Sequence, residues 1–98
     1  MTKKEFYQVY IPALEKALDT DHVNLGFNVK GPEDYIDPEL QVKLEKYLEK
    51  NEDNFLEKVA YYFDAKSHNF PSIGETPIEV CKVELVNEIH RIKAEFIE

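Results

Sequence analysis

Residues 76–96 read TPIEVCKVELVNEIHRIKAEF, and the reading of this stretch decides the fold class. Ile78, Cys81, Leu85, Ile89, Ile92 and Phe96 recur at spacings of three and four, and Val86 widens the stripe. That period places them on one face of an α-helix, where burial against other elements stabilises them. Thr76, Pro77 and Glu79 stand in front as a start signal. The threonine hydroxyl is suited to cap, the proline occupies a position where no donor is needed, and the glutamate closes a capping box. The spacing predicts a helix over 77–96, about 30 Å long, that forms the backbone of the core. Cys81 falls on the apolar stripe and reads as a small, buried and unreactive residue.

Upstream, Asp37-Pro38-Glu39 repeats the start chemistry: a cap, a proline at the first position and a carboxylate at the positive end of the helix dipole. Leu40, Leu44, Tyr47 and Leu48 line one face, and Phe55, Leu56, Val59, Ala60 and Phe63 resume the rhythm later. Asn51-Glu52-Asp53-Asn54 lies between. The asparagine pair favours a helix end and restart there over one helix across 38–65. At the N-terminus, Thr2 and Glu5 form another capping box ahead of Phe6, Val9, Tyr10, Ala13, Leu14, Ala17 and Leu18. Pro12 predicts a kink or a restart, and the helix should fade over 19–21.

Val23, Leu25, Phe27 and Val29 alternate with small or polar residues, which is strand period. Lys30-Gly31-Pro32 ends this run with turn chemistry, and 67–74 reads as loop punctuated by Pro71 and Gly74. The expected fold is all-α: a single domain over 1–98, built as a small antiparallel bundle of about four helices with an extended loop at 23–36. The alternative is an α+β fold with a short strand at 23–29.

The charge is uneven. Between Glu33 and Asp64 ten carboxylates face four lysines, a formal charge of −6 out of −8 for the whole chain. Tyr35, Tyr47, Tyr61 and Tyr62 share that stretch. Arg91 is the only arginine, so the clustered cations that phosphate binding demands are missing, and neither nucleic acid nor an anionic membrane surface is an expected partner. No apolar run approaches the roughly 18 residues of a membrane span. No apolar segment of signal-peptide type follows Thr2-Lys3-Lys4, and Cys81 has no second cysteine to pair with; a cytoplasmic location is the expectation.

Catalytic and metal signatures do not emerge. His22, His68 and His90 lack partners at ligand spacing. Asp19, Asp21 and Asn24 do not complete a calcium loop, because Val23 occupies a ligand position. Ser67 and Ser72 lie outside any nucleophile motif, and adjacent carboxylates such as Glu33-Asp34 and Glu52-Asp53 read as solvated. The expectation is a non-enzyme without cofactor or metal. It would bind a basic protein through its acidic, tyrosine-bearing middle, with Asp34, Tyr35, Asp37, Glu49, Asp53, Tyr61 and Tyr62 as contact residues. Tyrosine suits this because it offers a large contact area with a polar tip.

In size, acidity and helical texture the chain resembles bacterial immunity proteins, which neutralise basic nuclease toxins by direct contact. Phage inhibitors that mimic DNA share that profile. The likeness is compositional and transfers no individual residue. Readings from other classes are a structural or oligomerising bundle, and a small ligand-binding domain with a pocket near His68, Phe70 and Tyr62.

Overall fold

The computed structural model describes residues 1–22 and 28–97. The alternating run behind the strand alternative therefore lies outside the described residues, except for Asn28 and Val29. The architecture is a four-helix arrangement: α1 (Lys3–Thr20), α2 (Pro38–Lys50), α3 (Asn54–Ser67) and α4 (Ile78–Ile92), the last widening into a π-helical turn over Lys93–Ile97. One 3₁₀ turn, Pro32–Tyr35, precedes α2 and shortens the expected extended loop. No helix among the described residues is long and apolar enough to cross a membrane.

The helix starts are chemical. Glu5 N donates to Thr2 Oγ1 and Thr2 N to Glu5 Oε1, each at 3.1 Å, so the first capping box forms as read. The backbone N–H of Thr2 and then its hydroxyl hold the Glu5 carboxyl below the ordinary carboxylate range. Asp37 caps α2 through Glu39 N at 3.2 Å, and Asp53 caps α3 through Phe55 N at 2.9 Å. Asn51 donates from its side chain to Tyr47 O at 2.9 Å, satisfying a last-turn carbonyl. Together these residues make the break between α2 and α3. At Pro12 the helix neither ends nor restarts: α1 runs through it, with the proline exposed so that water can serve the carbonyl left without a donor.

The start of α4 differs from the expectation. Thr76 caps nothing, and Pro77 precedes the helix without a side-chain cap. Ser72–Ile73 (β1) and Thr76–Pro77 (β2) instead form a minimal antiparallel hairpin, Ile73 opposite Thr76 and Ser72 opposite Pro77. The cause is Gly74, whose φ of +62° at the first central position of a two-residue loop suits a type II′ turn. The turn draws Thr76 into extended pairing and away from the helix.

The core joins Phe6, Ile11, Leu14 and Leu18 of α1 to Val59, Tyr62 and Phe63 of α3 and to Leu85, Ile89 and Ile92 of α4. In α2 only Leu44 is fully buried, and the Tyr47 ring stacks on Phe6 with centroids 4.8 Å apart. Among the described residues one charged group lies inside. Asp21, 2% exposed, accepts a hydrogen bond from the Tyr62 hydroxyl and an ion pair from Lys82.

Candidate functional site

On the solvent side of α3, Tyr61 stands 62% exposed, which is unusual for a large aromatic side chain. Glu57 precedes it by one turn and Asp64 follows by three residues, so the helix period sets both carboxylates beside the ring. Asp64 also lies 3.5 Å from His68 Nδ1. On the α4 side of Tyr61 runs a groove of about 170 Å³, lined by Lys58, Tyr61, Ile73, Cys81, Glu84 and Leu85 among others. Lys58 bridges it to Glu88 at 3.0 Å, and Glu88 also meets Arg91 at 3.6 Å, so one carboxylate answers two cations. Glu84 forms no ion pair among the described residues. Val80 and Val83, 45% and 58% exposed, extend apolar surface along the outside of α4.

On the other flank of α3, a cleft of about 370 Å³ opens toward the 3₁₀ turn, with Glu33, Asp34 and Asp64 at its rim and Tyr10, Leu56, Val59 and Phe63 below. Burial, and then the neighbouring carboxylates of Glu33 and Asp53, push the Tyr10 phenol well above its ordinary range, so it stays neutral. The crest of α3 thus carries a tyrosine with carboxylates on both sides and apolar surface next to it.

The expected contact residues divide. Tyr61 is where a contact residue should be. Asp34 shares the acidic cleft with Asp64 and also accepts from Gly31 N at 3.0 Å. Tyr35 is half-buried: its hydroxyl shares a hydrogen bond with Thr20 at 2.9 Å and its ring lies under the Lys16 ammonium. Asp37 is exposed but serves as a cap. Asp53 caps α3 and accepts a hydrogen bond from the Tyr7 hydroxyl. Burial, reinforced by that carboxylate, raises the Tyr7 phenol above its ordinary range. Glu49 is exposed on α2.

Two expectations need correction. Tyr62 cannot touch a partner, because it is only 2% exposed and its hydroxyl is committed to Asp21. Adjacent helical residues point about 100° apart, so exposing Tyr61 turns Tyr62 into the core. Cys81 is half-buried rather than fully buried: it lines the groove, with Sγ 3.8 Å from Thr76 O. The hairpin that displaced the expected start of α4 supplies Ile73 and Thr76 as the wall beside it.

The acidic middle is also not one face. At 100° per residue, Lys43, Lys46 and Lys50 fall on one flank of α2 and Glu45 and Glu49 on the other. The three lysines line a shallow groove with Met1 and Tyr47. Counting charge along the sequence merges these flanks, whereas on α3 the exposed Glu57 and Asp64 lie two turns apart on one face and Asp64 shares a cleft with Glu33 and Asp34. Nor do His68, Phe70 and Tyr62 form a pocket: His68 stacks on Phe70 at 5.4 Å in the open, while Tyr62 is interior.

Glu57, Glu84 and the groove itself escaped the sequence reading. Glu84 sits next to the apolar stripe of α4, and nothing local marks it as a rim residue. No group of three or more His, Cys, Asp or Glu side chains among the described residues is placed to hold a metal ion. Comparison of the chain with protein-family models, curated proteins and solved structures finds no match.

Proposed function

We propose that the chain is a non-catalytic binding domain that captures a basic segment of another protein on the crest of α3, and that it acts as an inhibitor or immunity-type protein does, by direct contact. The observation that carries this reading is Tyr61, 62% exposed between Glu57 and Asp64 beside an apolar groove. Exposed aromatics that sink into a partner are the commonest energetic anchors of interfaces, and rim charges steer encounter. The lysine flank of α2 interrupts the continuous negative surface that a DNA mimic needs, which favours a localised protein contact over mimicry.

The test is capture of partners from the source cell, followed by association and dissociation rates at two salt concentrations. Glu57→Lys with Asp64→Lys should slow association and flatten its salt dependence. Tyr61→Ala should speed dissociation by about 2 kcal/mol, roughly thirtyfold. A captured basic protein whose rates ignore all three substitutions would move the interface off α3, and failure to recover any basic protein would remove the reading.

A further inference from the structure

We infer that the groove between α3 and α4 reads a specific feature of the basic partner proposed above: one aliphatic side chain with a lysine or arginine within a turn of it. The inference rests on that reading, and it adds the rule by which the surface chooses. A volume of about 170 Å³ accepts a single side chain of leucine or methionine size. It falls well below the roughly 300–1,000 Å³ of sites that enclose cofactors or drug-sized ligands. The walls offered by Tyr61, Ile73, Cys81 and Leu85 are mostly carbon and sulfur, with Thr76 and the Tyr61 hydroxyl as polar exceptions, and they reward an apolar occupant. Lys58 is drawn onto Glu88, whereas Glu84 lines the groove without an ion pair among the described residues, and it selects a cation beside the apolar anchor. The exposed faces of Val80 and Val83 give the rest of an amphipathic segment a surface to lie on.

Two synthetic helical peptides decide this. One carries leucines at spacings of three and four with lysines between them; the other keeps the lysines and replaces each leucine with serine. Each is titrated into protein labelled at its methyls, tyrosine rings and backbone amides and followed by NMR. The leucine–lysine peptide should shift the Ile73 and Leu85 methyls and the Tyr61 ring, and bind at least about tenfold more tightly than the serine peptide. Glu84→Lys should weaken it by about tenfold, while Glu45→Lys on α2 leaves it within about twofold. Alkylating Cys81, which fills the groove without any substitution, should abolish the Ile73 and Leu85 shifts. Equal binding of both peptides would overturn the inference, because charge alone would then suffice. Shifts at Glu57 and Asp64 without any at Ile73 and Leu85 would also overturn it while leaving the α3 crest standing. Absence of binding at either place would remove both.

Discussion

Lys82 crosses from α4 to meet the Asp21 carboxylate at 2.9 Å, and the same ammonium donates to Leu18 O at 3.0 Å. With the Tyr62 hydroxyl on the other carboxylate oxygen, α1, α3 and α4 converge on one buried charge. A buried carboxylate is tolerated only when paired and hydrogen-bonded.

Lys82→Met keeps the aliphatic stem and removes the charge, leaving Asp21 with Tyr62 alone. The expected loss is about 1–3 kcal/mol in urea unfolding, because the carboxylate loses a charged partner while half-exposed Lys82 regains water. Tyr62→Phe should be destabilising too, and the double variant should cost less than the two singles added together. Strict additivity would mean that the three groups do not act as a unit.

Two substitutions near α4 separate the hairpin from the core. Thr76→Ala should cost less than about 0.5 kcal/mol, since its side chain caps nothing. Leu85→Ala should cost roughly 2–5 kcal/mol by opening a cavity. Among true caps, Asp37→Ala should cost about 1 kcal/mol and Asp53→Ala about 2, because Asp53 also holds the Tyr7 hydroxyl. Equal effects at Asp37 and Asp53 in urea unfolding would show that the Tyr7 bond contributes nothing.

Gly74→Ala and Gly31→Ala should differ. A Cβ at Gly74 meets nothing within 4 Å, so its cost is purely conformational, about 1–3 kcal/mol for an alanine held at the positive φ of a type II′ turn. At Gly31 the new carbon would lie 2.8 Å from Glu33 Oε1, the end of a flexible side chain that can swing aside, and the change should stay within about 0.5 kcal/mol. Thermal unfolding of the two variants provides the comparison.

Tyr7, Tyr10 and Tyr62 all have phenol pKa values raised in the folded state, by burial first and by nearby carboxylates second. The unfolded chain releases these protons near pH 10, whereas the folded chain keeps them. Their contribution is therefore complete below about pH 10 and is lost as pH rises toward the folded values. Ultraviolet titration should show a class of tyrosines that ionise only as circular dichroism reports unfolding. Ionisation of all six in one step near pH 10, with helicity intact, would contradict this.

What the sequence disclosed was what its chemistry keeps local. The box at Thr2 and the cap at Asp37 act within three residues, and the stripes of α1, α3 and α4 act within a turn, so both could be read directly. The break at Asn51 was legible for the same reason. The cap at Asp53 went unread, because that residue reads equally as a partner contact. The Thr76 box failed because Gly74, two residues away, imposed a turn that competes for the same backbone, and strands of two residues are too short to show a period. Asp21 looked like an ordinary helix-end residue because its partners lie 41 and 61 positions further on. Of the site, Tyr61 was legible from helical phase. The groove beside it was not, since it exists only where α3, α4 and the hairpin meet.

The sparse attachment of α2 has a consequence for how the molecule breathes. With Leu44 as its one fully buried side chain and the Tyr47–Phe6 stack as its main clasp, this helix has far less to lose on detaching than the three helices pinned at Asp21. Its amides should exchange with deuterium well ahead of those in α1, α3 and α4, through an excursion that leaves the remaining fold closed. Such an excursion would uncover the ring of Phe6, and the partly opened form should present an aromatic surface of α1 to water.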